Sequence, residues 1–232
     1  MERDEISDNG VSAYRFGHRE RLRARFLHAG AETLTDEELT EVLLFAAIPR
    51  RDVREIAQKL VAEFETFADL VAAPVARLAE SLSEASIAQL KLVEAAAVRL
   101  ARTRIINRPA LSSWSALLDY CQAAMARRET EEFRVLFLDR KNVLIEDHVQ
   151  SRGTVDHAPV YPREIMKRAL ALNASALILV HNHPSGDPEP SRADIAMTKE
   201  IVAAAATLKI AVHDHLVIGR AGHASFKALG LI

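Results

Sequence analysis

The chain has 232 residues, room for one medium domain or two small ones, and its 49% hydrophobic and 27% charged residues exclude a disordered polymer. One cysteine, Cys121, stands against nine histidines, which excludes a disulfide framework and any zinc site built on two or more thiolates. The formal net charge of -2 excludes the basic excess of a dedicated DNA binder. A bound metal must therefore be held by imidazole, carboxylate and water, and seven of the nine histidines lie from His148 onward.

The acidic start MERDEISDNG has no apolar stretch behind it, and no window reaches the ~18 apolar residues of a membrane helix, so the expected location is cytoplasmic. Residues 1–30 read as an arm followed by a helix start. The run Arg15, Arg19, Arg21, Arg23 and Arg25, with Glu20 inside it, can touch phosphate, but such runs are more often solvated. Residues 31–102 read almost wholly as helix. Thr35-x-x-Glu38 fits a capping box, in which side chains satisfy free N–H groups of the first turn, and Pro49 ends that helix. Asp52 can cap the next, with Ile56, Leu60 and Phe64 on one stripe. Short helices follow at 66–72, 74–79 and 85–102, a small all-α bundle. Over 1–102 there are 14 Lys and Arg against 18 Asp and Glu, a net of -4.

Residues 103–113, containing Pro109, interrupt the pattern and read as a linker. A helix over 114–128 carries Leu117, Leu118, Cys121 and Met125 on its apolar side. The grammar then changes. FRVLFLD at 133–139 and VLIEDHVQ at 143–150, joined by a polar turn, predict an antiparallel hairpin. Pro162 opens a helix through Ala171, because a first turn does not use the N–H that proline lacks. ALILV at 176–180 is a continuous apolar run, as in a buried central strand. A helix covers 191–206, one or two strands cover 209–219, and the tail ends on an edge strand or short helix. The C-terminal unit, 114–232, is therefore α/β, a mixed sheet flanked by helices.

The informative stretch is ALILVHNHPSGDPEPSRAD, 176–194. Residues two apart on a strand share a face, so His181 and His183 can enter one pocket. The loop PSGDPEP, with three prolines, is stiff and returns the chain to a helix whose first turn holds Asp194. Two imidazoles and a carboxylate suit Zn2+ with a fourth position left for water, the arrangement of a catalytic site. Ser191-x-x-Asp194 is equally a capping pattern. Asp187 and Glu189 look solvated. In His213-Asp214-His215 the two histidines share a face, and His215 can anchor the free nitrogen of a metal-bound histidine.

His-x-His, seven residues, then Ser-x-x-Asp is the signature of JAMM-type (MPN+) metalloproteases, and His181, His183, Ser191 and Asp194 fill it. EEFRVLFLD, SRGTVDHAPVYPREIMKRAL, HNHPSGDPEPSRADI and DHLVIG resemble the RadC family, long labelled DNA repair proteins. The resemblance spans nearly the whole chain and is stronger over 110–232. It implies a JAMM-type mixed sheet flanked by helices, with His181, His183 and Asp194 as zinc ligands and Ser191 steadying an oxyanion or a water. It also implies a glutamate general base near the first strand of the hairpin. Glu131 and Glu132 are the candidates, and Glu132, directly before Phe133, is favoured. The implied activity is hydrolysis of a peptide, isopeptide or related amide bond by attack of zinc-bound water on a protein or peptide substrate. Ser151-Arg152-Gly153-Thr154 can line a substrate groove or merely turn the chain, as can Tyr161-Pro162-Arg163-Glu164.

The RadC-type N-terminal region resembles a helix-hairpin-helix, whose Gly-hydrophobic-Gly turn offers N–H groups to DNA phosphate. Here that turn is Ser81-Leu82-Ser83 followed by Glu84; both glycines are absent and an acid stands where phosphate would lie. Ala47-Ile48-Pro49-Arg50 also replaces a glycine-bearing turn. These departures and the acidic charge weaken DNA as a partner. The alternative to a hydrolase is a DNA repair or recombination accessory whose zinc domain is regulatory or vestigial.

Overall fold

The computed structural model describes residues 8–153 and 160–232, and side chains from residue 17 onward. The chain divides into two compact units, one up to Glu94 and one from Ala95 to Ile232. Among the described residues no helix is long and apolar enough to cross a membrane.

The first unit is helical: α1 (Asp8–Ala29), α2 (Asp36–Ala47), α3 (Arg54–Phe64), α4 (Phe67–Ala72), α5 (Val75–Leu78) and the start of α6 (Glu84–Thr103). Thr35 and Glu38 form the expected capping box on α2. Asp52 acts one position earlier than a cap: its carboxylate accepts the Arg54 N–H at 3.0 Å, while Val53 is the residue that enters α3. Leu22, Leu44, Phe45, Leu60, Leu70, Leu78 and Leu90 form the core of this unit.

The stretch expected as an arm is helix from Asp8, and its arginines are engaged. Pro49 stops α2, and Arg19 serves the carbonyls at and beyond its end, donating to Ile48 O at 2.8 Å and to Arg51 O in the loop that follows. The Arg19 and Arg23 guanidinium groups lie 4.6 and 5.4 Å from the centre of the Phe45 ring, and Arg25 pairs with Glu38. The run thus holds helices together; the side chain of Arg15 lies outside the described residues. At the Ser81-Leu82-Ser83 turn, the N–H groups of Ser81 and Leu82 both donate to Leu78 O, at 3.2 and 2.9 Å. The Ser83 hydroxyl meets that of Ser86 at 3.1 Å, at the start of α6.

The second unit contains a five-stranded sheet in the order β2-β1-β3-β4-β5: β1 (Glu132–Leu138), β2 (Leu144–Arg152), β3 (Ala176–Asn182), β4 (Ala211–Ile218) and β5 (His223–Ser225). The β3–β4 pair is parallel and the other pairs are antiparallel, so the sheet is mixed as expected. In the hairpin turn Asp139 accepts the N–H groups of Lys141 and Val143, and Asn142 takes a left-handed φ of 61°.

Both faces of the sheet are apolar. On one, Leu136, Leu138, Ile178, Val180, Leu216 and Ile218 pack with α7 (Trp114–Met125), where Cys121 is buried. On the other, Phe133, Val135, Phe137, Leu177 and Leu179 pack with α8 (Pro162–Ala171) and α9 (Arg192–Thr207). The stretch 103–113 does not hang free of this unit: Ile105 and Ala110 are buried in the α7-side core, and Ala110 N–H donates to Asn142 O. The parallel β3-α9-β4 crossover brings the C-terminal ends of two adjacent strands and the N-terminus of α9 together, which is where the histidines lie.

Candidate metal centre

His181 is on β3, His183 lies just past its end, and Asp194 is in the first turn of α9. His181 is fully buried and Asp194 nearly so. The strand delivers the rings to one side, as its alternation dictates. Ser191 completes a capping box on α9: its hydroxyl accepts Asp194 N–H at 3.1 Å, and Asp194 Oδ2 accepts Ser191 N–H at 2.8 Å. The capping and ligand readings of Ser191-x-x-Asp194 are therefore compatible, because the box fixes the carboxylate rotamer that faces the histidines.

The donor atoms converge. His181 Nε2 lies 3.0 Å from His183 Nε2 and 3.4 Å from Asp194 Oδ1, and His183 Nε2 lies 3.5 Å from Asp194 Oδ2. A tetrahedral ion with bonds of about 2.0–2.1 Å has ligand–ligand edges of about 3.3–3.4 Å, so the spacing fits a small divalent cation. The tautomers fit as well. His183 Nδ1 lies 2.8 Å from Asp187 O, a carbonyl that can only accept, so the proton is on Nδ1 and the Nε2 lone pair faces the cluster. Among the described residues these three are the group able to hold a metal ion.

The electrostatics follow from the same contacts. Burial alone would raise the Asp194 pKa, but hydrogen bonds to His181 and His183, the charge of His181 and the side chain of Ser191 outweigh it and hold the carboxyl well below the usual range. His183 is raised, chiefly by the hydrogen bond to Asp194 against the opposing effect of burial, with the Asp187 carbonyl and the charge of Glu131 adding to it. Complete burial pushes His215 well down, and His181 beside it adds to the effect.

The loop between His183 and Asp194 is docked rather than loose. His183 N–H donates to Ile218 O, and Arg220 N–H donates to Gly186 O. Gly219 admits this approach, since a Cβ there would lie 2.2 Å from Gly186 O. Asp187 contributes its backbone carbonyl to His183, while its exposed carboxylate accepts Glu189 N–H at 3.0 Å. Glu189 is also exposed.

Glu132, the favoured general base, is displaced from the site. It sits on the α7 face, opposite the histidines, buried between Arg134 Nε at 2.5 Å and Arg152 Nε at 3.0 Å. Arg134 continues this network to Asp147 at 2.9 Å, and Tyr120 also donates to Asp147. The physical reason is alternation: Phe133 pairs with His181 and stacks on it at 6.1 Å, so its neighbour Glu132 points the other way. Glu131, one residue before β1, adds its charge to that of Asp194 at His183.

Asn182, between the two histidines, points to the α7 side and straps the segment before β1. Its Oδ1 accepts Glu132 N–H at 2.9 Å, and its Nδ2 donates to Thr130 O at 3.2 Å. His215 joins the cluster, with its Nε2 2.8 Å from His181 Nδ1. His213 does not; it meets Asn142 Oδ1 at 2.6 Å near the hairpin turn. Asp214 holds the tail, accepting from Ser225 Oγ and the Lys227 N–H. Ser151 is opposite Phe133 on β2, Arg152 is committed to Glu132, and Thr154 lies outside the described residues. Tyr161 and Pro162 begin α8. Sequence reasoning missed Thr198, whose place four residues after Asp194 on the same helix is a visible signal.

Residues 111–231 match the model of the RadC-like JAB domain. The chain belongs to this RadC family. It is 62% identical over 213 residues to a UPF0758 protein of Rhodobacter capsulatus, covering 91% of this chain and the whole of that relative. It is 57% identical over 224 residues to a UPF0758 protein of Ruegeria pomeroyi, covering 96% of this chain and again the whole relative. The family match covers all five strands of the sheet and every residue of the candidate metal cluster, and the matches to both relatives take in most of the helical unit as well.

Proposed function

We propose that this RadC family protein is a zinc-dependent hydrolase of amide bonds, acting on a peptide, isopeptide or related amide in a protein or peptide substrate. One observation carries the proposal: two imidazole Nε2 atoms and a carboxylate converge at 3.0–3.5 Å, a three-donor set that leaves the fourth position of a tetrahedral ion open. Zinc held there would lower the pKa of a water toward 7 and polarise a carbonyl.

The protein's own groups divide the remaining work. Glu131 is the proposed general base, taking a proton from the attacking water and passing it to the leaving amine. Its support is its place just ahead of β1 and its electrostatic reach to His183. Ser191 uses an oxygen lone pair for its cap, so its hydroxyl proton is available to an anionic oxygen at the carbonyl. Asp187 O keeps His183 in the tautomer that presents Nε2. The DNA accessory function draws less support, because the hairpin N–H groups at Ser81 and Leu82 bond internally and Arg19, Arg23 and Arg25 are engaged within the helical unit.

The test is metal analysis together with a panel of peptide and isopeptide substrates. The wild type should hold one zinc per chain at neutral pH. Glu131→Gln should keep the metal and lose roughly 10²–10⁴-fold in rate. A wild type that binds no zinc, or a Glu131→Gln variant as fast as wild type, would overturn the proposal.

A further inference from the structure

Two fully buried residues behind the cluster, Thr198 and His215, form one directed chain of hydrogen bonds with the buried His181. The Thr198 hydroxyl lies 2.6 Å from Asp194 O, one turn back on α9, and 2.6 Å from His215 Nδ1. Its direction follows from donor counting. A carbonyl only accepts, so the single hydroxyl proton goes to Asp194 O and the Thr198 oxygen must accept from His215 Nδ1–H. Among the described residues no carboxylate lies in hydrogen-bond reach of the His215 ring, and a buried ring without a counter-charge is neutral. Its Nε2 is therefore a lone pair, which accepts from His181 Nδ1–H at 2.8 Å. That leaves His181 with one arrangement, the proton on Nδ1 and the lone pair on Nε2, aimed at His183 and Asp194.

We infer that Thr198 and His215 are positioning residues that set the tautomer and orientation of His181, tying its ring to the backbone carbonyl of Asp194. The inference rests on the metal-site reading above. It assigns Thr198 a role, and it makes His215 an acceptor rather than a ligand or an acid. Without the hydroxyl, His215 Nδ1–H faces no partner. Moving its proton to Nε2 relieves that, but His181 must then carry its own proton on Nε2, which closes the lone pair the metal needs. The ring packing of His215 against Phe133 at 5.5 Å and Phe226 at 4.5 Å keeps it from turning to another partner.

The experiment compares full-length wild type, Thr198→Val and Thr198→Ser by zinc titration against a competing chelator and by nitrogen-15 NMR of the histidine rings before metal is added. In wild type, His181 should show its proton on Nδ1. Thr198→Val should shift that proton toward Nε2 and weaken zinc binding roughly 10–100-fold, and Thr198→Ser should restore both. A folded Thr198→Val variant with wild-type tautomers and wild-type zinc affinity overturns the inference. So does a Thr198→Ser variant as impaired as Thr198→Val, which would mark a packing effect. If wild type binds no zinc, the functional proposal fails, while the metal-free NMR comparison still decides whether Thr198 sets the tautomer.

Discussion

Glu131 and Glu132 are adjacent and carry the same group, yet only Glu132 lies on β1 and is drawn into a buried ion network. Glu132 is an internal counter-ion for Arg134 and Arg152, and removing it leaves Arg134 buried beside a single remaining carboxylate, Asp147. Glu132→Gln is therefore expected to cost about 3 kcal/mol in chemical denaturation while leaving zinc stoichiometry intact. Loss of zinc with no loss of stability would reverse that assignment. At Asp194 the expectation is the opposite: Asp194→Ala abolishes stoichiometric zinc in metal analysis, since it removes one of three donors. The raised pKa of His183 sets the pH dependence. Below that pKa the ring holds a proton that zinc must displace, so affinity should fall as pH drops through it and binding should release protons. Calorimetric titration in buffers of different ionisation enthalpy reads both quantities. In the metal-free protein the sign for stability differs. His183 stabilises fully below its unfolded pKa, and that contribution is lost as pH rises through its raised folded pKa. The depressed Asp194 stabilises above its unfolded pKa and loses that contribution as pH falls.

At the scale of elements, β3 is the member on which the site depends. It is buried on both faces, and Leu179→Ala should cost roughly 2–5 kcal/mol. The loop after it is held by the backbone contact at Gly186 and Gly219. Gly219→Ala puts a methyl 2.2 Å from Gly186 O, so the loop must move and Asp187 O leaves His183. Zinc affinity should drop with little change in the stability of the sheet; an unchanged affinity would show that the loop carbonyl is not what holds the ring. Element positions were largely legible. The capping box at Thr35, the proline starting α8, the apolar run of β3 and the hairpin all follow from local rules that act within one or two turns. The N-terminal stretch was read only as an arm followed by a helix start, where the helix runs from Asp8 to Ala29, because a run of arginines records solvent preference alone. It does not reveal that Phe45 and the carbonyls after α2 are waiting for those guanidinium groups.

At the scale of the whole molecule, the helical unit and the sheet unit have separate cores, with no residue common to both among those described. Zinc stabilises only the state that binds it, by about 2.7 kcal/mol at a hundredfold excess over Kd. Hydrogen exchange should therefore slow in β3, α9 and β4 on adding zinc and stay unchanged in α2, α3 and α4. The candidate donor set was legible in the sequence alone: a lone cysteine excluded thiolate sites, and the spacing of His181, His183 and Asp194 named three donors that the fold brings together, because strand and helix periodicities are local. Tertiary structure alone decided that Glu132 faces away from that set, that His215 and Thr198 stand behind it, and that His213 does not. Both faces of β1 are apolar, so alternation could tell Glu131 from Glu132 but not which of them looks toward the histidines. That depended on the packing of α7 against one face and α8 and α9 against the other.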